Sequence, residues 1–439
     1  MGWAHYGFAA QLPAKQLDEL LLGYDQSAVL LAGPDGLPVY AFNEQQPQVP
    51  ASTVKLLTGL MSLEQWGGSF QAETEFYFDV ASGSLHIVGT GDPFLISEEI
   101  AAIAIRVQSE LDSLSESLSA GTGIRNLIVD YSRFKNQSGL PWQGTTSNPY
   151  DAVPSAVAAN FNTLNLRVAA GRPVSAEEQT PLTRYSWLKA KQAGSDEPIG
   201  RINTGQNVDE AARYFGELLA TFLWQQGASF IDANGELQTR KNESPLDSES
   251  TMVMLAERVS TVSKPSSKRA GQLLYTHRNS RTMSTVVAAM LQYSTNFIAN
   301  NLALMMASNA VKGPAGFAEF NDLAQNYVSQ RFGWKNTVVQ EGAGLSTANR
   351  LSSEQLVELV GAYKEWPGLM PAYKKSTFNE SVFAKTGSLA GVSTLAGTLL
   401  SGNGTNHRFA ILLQDSSIVD SSIRDKVLTL LQEIVDAKP

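Results

Sequence analysis

Pro50-Ala51-Ser52-Thr53-Val54-Lys55-Leu56-Leu57-Thr58 sets a serine and a lysine three residues apart at the head of an apolar stretch. Three residues along a helix bring two side chains onto one face, so the Lys55 amine reaches the Ser52 hydroxyl without a loop to hold it. A serine hydroxyl is a poor nucleophile at neutral pH and needs such an adjacent base. Leu56, Leu57, Leu60 and Leu63 mark the buried side of a helix from Ser52 to Trp66, closed by Gly67-Gly68. Ser52 then opens a helix, where backbone N–H groups and the dipole favour a developing oxyanion. The plainer reading is an N-cap serine with a solvated first-turn lysine. S-x-x-K recurs at Ser132 and Ser186, where that plainer reading holds.

Two downstream motifs tip the balance at Ser52. Ser294-Thr295-Asn296 is the polar interruption of a helix read from Ser284 to Met306, with Val286, Val287, Met290, Phe297 and Leu304 as its core positions. Lys385-Thr386-Gly387-Ser388 opens a run, Val382 to Leu400, rich in β-branched and small residues. Ser401-Gly402-Asn403-Gly404 and a second apolar run, Phe409 to Leu413, complete a hairpin. Alone, the first motif reads equally as a surface cluster and the second as charge protecting a sheet edge.

In this order the motifs resemble the S-x-x-K, S-D-N and K-T-G boxes of penicillin-binding proteins and β-lactamases. The chain as a whole resembles the peptidase S13 family, the class C penicillin-binding proteins of D-alanyl-D-alanine carboxypeptidase/endopeptidase type. Gly89-Thr90-Gly91-Asp92-Pro93 is similar to that family's G-G-G-D-P turn, Ala158-Ala159-Asn160-Phe161-Asn162 with Asn165 to its asparagine-rich return strand, and Glu341-Gly342-Ala343-Gly344-Leu345-Ser346 to its D-G-S-G-L-S box. The long gap from Ser52 to Ser294 matches the inserted domains that this family has and ordinary β-lactamases lack. The resemblance implies an α+β fold: a catalytic domain of the β-lactamase/transpeptidase type (residues 1–68 and 265–439) with an antiparallel sheet covered by helices. Two smaller domains are inserted, one of residues 69–95 and 162–264, the other of residues 96–161.

The resemblance also implies roles. Ser52 is the nucleophile and Lys55 its partner; Ser294 relays a proton to the leaving amine; Asn296 orients Lys55 and the substrate. Lys385 and Thr386 bind the substrate's terminal carboxylate, Gly387 admits its backbone, and the Ser388 and Ser52 N–H groups form the oxyanion hole. Two departures concern the donor side chain. Thr347 stands where the family commonly has an arginine, and Pro141-Trp142 is followed by Gln143-Gly144 rather than an acid, with Tyr150 the nearest aromatic and Asp151 the nearest acid. Weak discrimination for a free diaminopimelate head is therefore expected, unless Arg350 or Asp151 serves from a shifted position.

Three functional classes compete: a peptidase acting on peptidoglycan peptides and acylated by β-lactams, a β-lactamase, and a non-catalytic cell-wall binding protein on the same fold. The chain lacks an E-x-x-L-N deacylation box after Ser294, which counts against the second; intact motif residues count against the third. A net charge of -9 with no basic run argues against nucleic acid. There are no cysteines, and the four histidines (His5, His86, His277, His407) have no ligand spacing, so neither metal nor other cofactor is expected. No stretch approaches the roughly 18 apolar residues of a membrane helix. Met1 to Ala14 is not an intact signal peptide; a removed signal and a periplasmic or other extracytoplasmic location are expected. The amphipathic segment Ile423 to Val435 reads as a helix packed on the sheet, with peripheral membrane contact at most. An oligomer is possible on this reading. A helix begins at Gln16, and Gln192–Gly200, Lys241–Ser250 and Ser263–Gly271 read as surface loops and a linker.

Overall fold

The computed structural model describes residues 8–118, 123–135, 139–193, 199–240, 248–265, 271–373, 378, 381–418 and 420–437. Residues 1–7, and most of the loops Gln192–Gly200, Lys241–Ser250 and Ser263–Gly271, lie outside the described residues. The fold is α+β, in two compact units: residues 1–67, 287–299 and 320–439, and residues 68–286 and 300–319.

The first unit is built on a five-stranded antiparallel sheet in the order Val382–Leu389, Val392–Leu400, Asn406–Gln414, Gln26–Ala32, Pro38–Phe42. Gln26–Ala32 and Asn406–Gln414 come from opposite ends of the chain and pair centrally, with Leu30 opposite Ala410. Six consecutive residues of Gln26–Ala32 are buried. That follows from a strand covered on both faces, which carries a continuous apolar run rather than an alternating one. Val29 and Leu31 face one core with Phe409, Ile411 and Leu413, roofed by Leu17 and Leu21 of the helix Phe8–Leu21 and by Val427, Leu431 and Ile434 of Ser422–Asp436. The other face carries the helix Ser353–Ala362, started by a capping box between Ser352 and Gln355. The first helix begins at Phe8 rather than Gln16, and the C-terminal helix lies on the sheet.

The Ser52 segment differs in detail from one continuous helix. Ala51–Val54 is a 3-10 turn and the α-helix runs Lys55–Trp66. The predicted Ser284–Met306 helix is split into Met283–Tyr293 and Asn296–Val311, with Ser294 at φ 55 between them.

The second unit holds a five-stranded mixed sheet in the order Val259–Val262, Asn126–Asp130, Ser84–Gly89, Gln71–Asp79, Gln272–Thr282. The helices Ser97–Leu118 and Val208–Gln225 pack on each other and on this sheet. The expected separation of residues 96–161 into their own domain is not what is observed. Asn126–Asp130 pairs in parallel with both Ser84–Gly89 and Val259–Val262, and Ile100, Ile103 and Val107 share one core with Leu218, Phe222 and Leu223. Strands and helix faces that bury one another cannot be cut into separate cores. The boundaries also differ from those expected, since residues 271–286 and 300–319 group with this unit.

Leu431 is fully buried between the C-terminal helix and the sheet. Leu431→Ala should destabilise the first unit by about 2–5 kcal/mol, read as a lowered urea midpoint of that unit's transition.

Candidate active site

The chemistry gathers in the first unit where the Lys55–Trp66 helix, the Ser294 break and the Val382–Leu389 strand meet. Pro50 leads into Ala51 at φ 46, and the Thr53 hydroxyl returns to Pro50 O at 2.6 Å, tightening the turn that presents Ser52. Lys55, one turn on, is fully buried. Its Nζ lies 2.9 Å from Ser52 Oγ, 2.8 Å from Asn296 Oδ1 and 2.6 Å from the Ala343 carbonyl oxygen. Burial, followed by the nearby Lys385 charge, holds the Lys55 amine well below the ordinary lysine range, while Glu341 pulls the other way.

Ser294 and Asn296 flank the break. On an unbroken helix residues two apart point to nearly opposite sides, so a continuous reading could not bring both into one cleft. The left-handed backbone at Ser294, unusual for a residue other than glycine, resolves this. Asn296 reaches Lys55, and Ser294 Oγ accepts from Lys385 Nζ at 2.8 Å.

Lys385 lies on the edge strand, nearly sealed from solvent, and also donates to Thr386 O at 2.9 Å. Its pKa is lowered to about 8 by burial first and then by the Arg424 charge. Arg424, on the C-terminal helix, is buried and donates Nη1 to Gly387 O at 3.3 Å and Thr394 O at 3.1 Å, two residues that face each other across the strand pair. Gly387 accommodates the protein's own chain. A Cβ there would lie 2.3 Å from Thr394 Oγ1, 2.8 Å from Ser52 N and 3.0 Å from Pro50 O, so the constraint read as substrate approach is already present without substrate. Thr394 Oγ1 donates to Pro50 O at 2.8 Å, stitching the strand pair to the Ser52 turn. Ser388, next along the strand, is exposed and Thr386 half-buried.

The loop behind Lys55 is organised by Glu341, a fully buried carboxylate. Oε2 accepts from Ala343 N at 2.8 Å; Oε1 accepts from the backbone N of Gly344 and Leu345 at 2.8 Å, of Ser346 at 3.2 Å, and from Asn349 Nδ2 at 2.9 Å. Gly344, at φ 85, is obligatory: a Cβ would fall 2.0 Å from Ala51 O. The loop thereby aims Ala343 O at Lys55.

Thr347 is exposed and outside this network; its carbonyl accepts from Arg350 Nη1 at 2.6 Å, and Arg350 also donates to Asn349 O at 2.8 Å. Tyr150 belongs to the other unit, where it is exposed and accepts from Asn148 Nδ2 at 2.7 Å. Asp151, in the same unit, is buried and bonded to Thr146. The residues that the motifs did not single out are Glu341, the Ala343 carbonyl, Thr394 and Arg424. The resemblance of the Glu341–Ser346 box was the one signal for the first two; nothing local marks the others. Among the described residues no group of three or more His, Cys, Asp or Glu side chains is placed to hold a metal ion, and no helix is long and apolar enough to cross a membrane.

Comparison with known proteins agrees with this architecture. The chain is 27% identical over 188 residues to D-alanyl-D-alanine carboxypeptidase DacB of Haemophilus influenzae, a match spanning 38% of this chain and 39% of that relative's length. It is 23% identical over 431 residues to the D-alanyl-D-alanine carboxypeptidase of Actinomadura sp. strain R39, covering 87% of this chain and 76% of the relative. The solved structure of penicillin binding protein 4 from Haemophilus influenzae superposes with TM-score 0.70 at 18% identity, over 96% of this chain and 99% of that one. The same protein complexed with a β-lactam gives TM-score 0.66 at 17% identity, with the same coverage. At these identities the structural likeness establishes a common fold. The profile of the D-Ala-D-Ala carboxypeptidase 3 (S13) family matches residues 10–375, most of the chain, and the protein therefore belongs to that family of serine D-Ala-D-Ala carboxypeptidases.

Proposed function

We propose that this protein hydrolyses peptidoglycan stem peptides or cross-links next to a D-alanine, through an ester on Ser52, and that β-lactams acylate the same hydroxyl. The observation that carries the reading is the fully buried Lys55 Nζ at 2.9 Å from Ser52 Oγ. A neutral amine has two N–H groups and one lone pair. With the N–H groups directed to Asn296 Oδ1 and Ala343 O, the lone pair is left facing the Ser52 hydroxyl.

In acylation the Ser52 proton passes to Lys55 as Oγ bonds to the penultimate carbonyl carbon. The C–N bond then breaks while Ser294 Oγ gives its proton to the departing amine, and Lys385 Nζ, 2.8 Å from Ser294 Oγ, resupplies it. Ser52 N and Ser388 N serve the carbonyl oxygen as it becomes anionic. The third Lys385 N–H has no partner among the described residues; with Thr386 it takes the substrate's terminal carboxylate. Proton exchange through solvent then neutralises Lys55 and recharges Lys385; in hydrolysis Lys55 takes a proton from water as its oxygen bonds to the ester carbon, and gives that proton to Ser52 Oγ as the ester C–O bond breaks and the acid leaves. Thr347 is proposed to face the donor side chain without a cationic clamp, because Arg350 is engaged with its own loop. The substrate places the enzyme in the periplasm or outside the cytoplasmic membrane.

Ser52→Ala should abolish covalent labelling by fluorescent penicillin, and Lys55→Ala should depress it nearly as far, since residues acting as a unit are not additive. Persistent labelling of Ser52→Ala, seen by gel and by peptide mapping, overturns the assignment. Without a deacylating carboxylate box the penicilloyl-enzyme should persist for many minutes; rapid multiple turnover would place the chain with the β-lactamases.

Acylation should show two limbs against pH. The neutral form of Lys55 is needed, so the rate rises with pH through its lowered pKa. The charged form of Lys385 is needed, so the rate falls above about 8. Arg424→Met removes a cation that disfavours protonated Lys385, so the alkaline limb should move to higher pH, as measured by kcat/KM for a peptide ending in D-Ala-D-Ala.

A further inference from the structure

Arg408 lies on Asn406–Gln414, opposite Ala32 on one side and Thr398 on the other. Its guanidinium occupies a slot between glycines from two distant segments. A Cβ on Gly36 would come 2.9 Å from Nη2, and one on Gly361 2.3 Å from Nη1. Two adjoining cavities, about 610 and about 1030 Å³, share Phe332, Glu358 and Arg408 in their walls. All of these residues belong to the unit that carries Ser52, and none takes part in its chemistry.

A half-buried guanidinium is ordinarily paired, because taking it from water without a partner is costly. The Arg408 guanidinium makes no hydrogen bond or ion pair with a described residue. Of the carboxylates around it, Glu358 accepts from Trp334 Nε1 at 2.7 Å and Asp35 from Leu37 N at 3.0 Å, while Glu354 and Glu365 line the two cavities without bonding to Arg408. Trp334 stacks on Phe332 with ring centres 4.6 Å apart and planes 18° from parallel. Arg331 lies over the Phe332 ring at 5.1 Å, so the face this stack can offer to the cavities is the outer face of Trp334. Gln45, Asn336 and Glu354 line the smaller cavity and offer donors and acceptors.

We propose that this groove is an accessory binding site for an anionic saccharide, with Arg408 holding its carboxylate or phosphate and a sugar ring lying on the outer face of Trp334. The planar fork of arginine matches both anions in a bidentate manner, and the polar groups around it suit sugar hydroxyls better than an apolar side chain. The aromatic platform supplies contact area at little entropic cost, and a concave surface with a few convergent polar groups is the usual form of a small-molecule site. The reading stands apart from the peptidase assignment, since Ser52 and its partners could fail as catalysts with the groove unchanged.

The experiment is a titration of the tryptophan indole N–H resonances of the full chain, Trp334 being assigned with Trp334→Phe. The probes are N-acetylmuramic acid, N-acetylglucosamine 6-phosphate and neutral N-acetylglucosamine. At least one anionic sugar should move the Trp334 signal with a Kd about tenfold or more below that of the neutral sugar, and whichever does so identifies carboxylate or phosphate as the group bound. Arg408→Gln should erase the difference while leaving penicillin labelling of Ser52 unchanged, which shows that the variant is folded. Equal affinities for all three sugars, no shift at Trp334, or a preference that survives in Arg408→Gln overturns the proposal.

Discussion

Lys55 is the constraint from which the catalytic unit is built. A buried amine surrounded by three oxygens must either lose its proton or be supplied with charge, because desolvation penalises the ammonium form. Each of the three oxygens comes from a different part of the chain: the turn before the helix, the residue after the Ser294 break, and the loop held by Glu341. Moving any of them changes the position of Lys55. The second cation, Lys385, adds to the same pressure, so the two amines are electrostatically linked although they belong to different motifs.

Backbone proximity does the rest of the positioning. Gly344 and Gly387 each bring a loop or strand so close to the Ser52 turn that a single methyl group would collide with Ala51 O in one case and Ser52 N in the other. The Thr394 and Thr53 hydroxyls both end on Pro50 O, so the Ser52 turn is fastened to the sheet and to itself at one carbonyl. Side chains locked by packing and main-chain contacts hold catalytic geometry more closely than mobile loops could.

Arg424 joins the C-terminal helix to this arrangement. From a residue far from any motif it grips carbonyls on both members of the Val382–Leu389 and Val392–Leu400 pair, placing a buried positive charge behind Lys385. The C-terminal helix is therefore both a roof for one face of the sheet and an electrostatic neighbour of the strand that carries Lys385.

The sequence by itself determined the local chemistry and the class of fold. S-x-x-K at Ser52 dictates that serine and lysine share a helical face, and the β-branched run around K-T-G announces a strand; each follows from short-range periodicity. The distance from Ser52 to Ser294 told of inserted structure. Its division was decided in three dimensions, since Asn126–Asp130 could not be seen to pair with Val259–Val262 across so long a stretch of chain. The break at Ser294 was likewise invisible, because serine and threonine are tolerated in helices and only the need to point Ser294 and Asn296 into one cleft favours a left-handed residue there. Arg424, Thr394, Ala343 and Arg408 carry no motif. Their parts arise from carbonyls, glycines and strand partners that the sequence places far away and that only tertiary packing brings within hydrogen-bond or van der Waals reach.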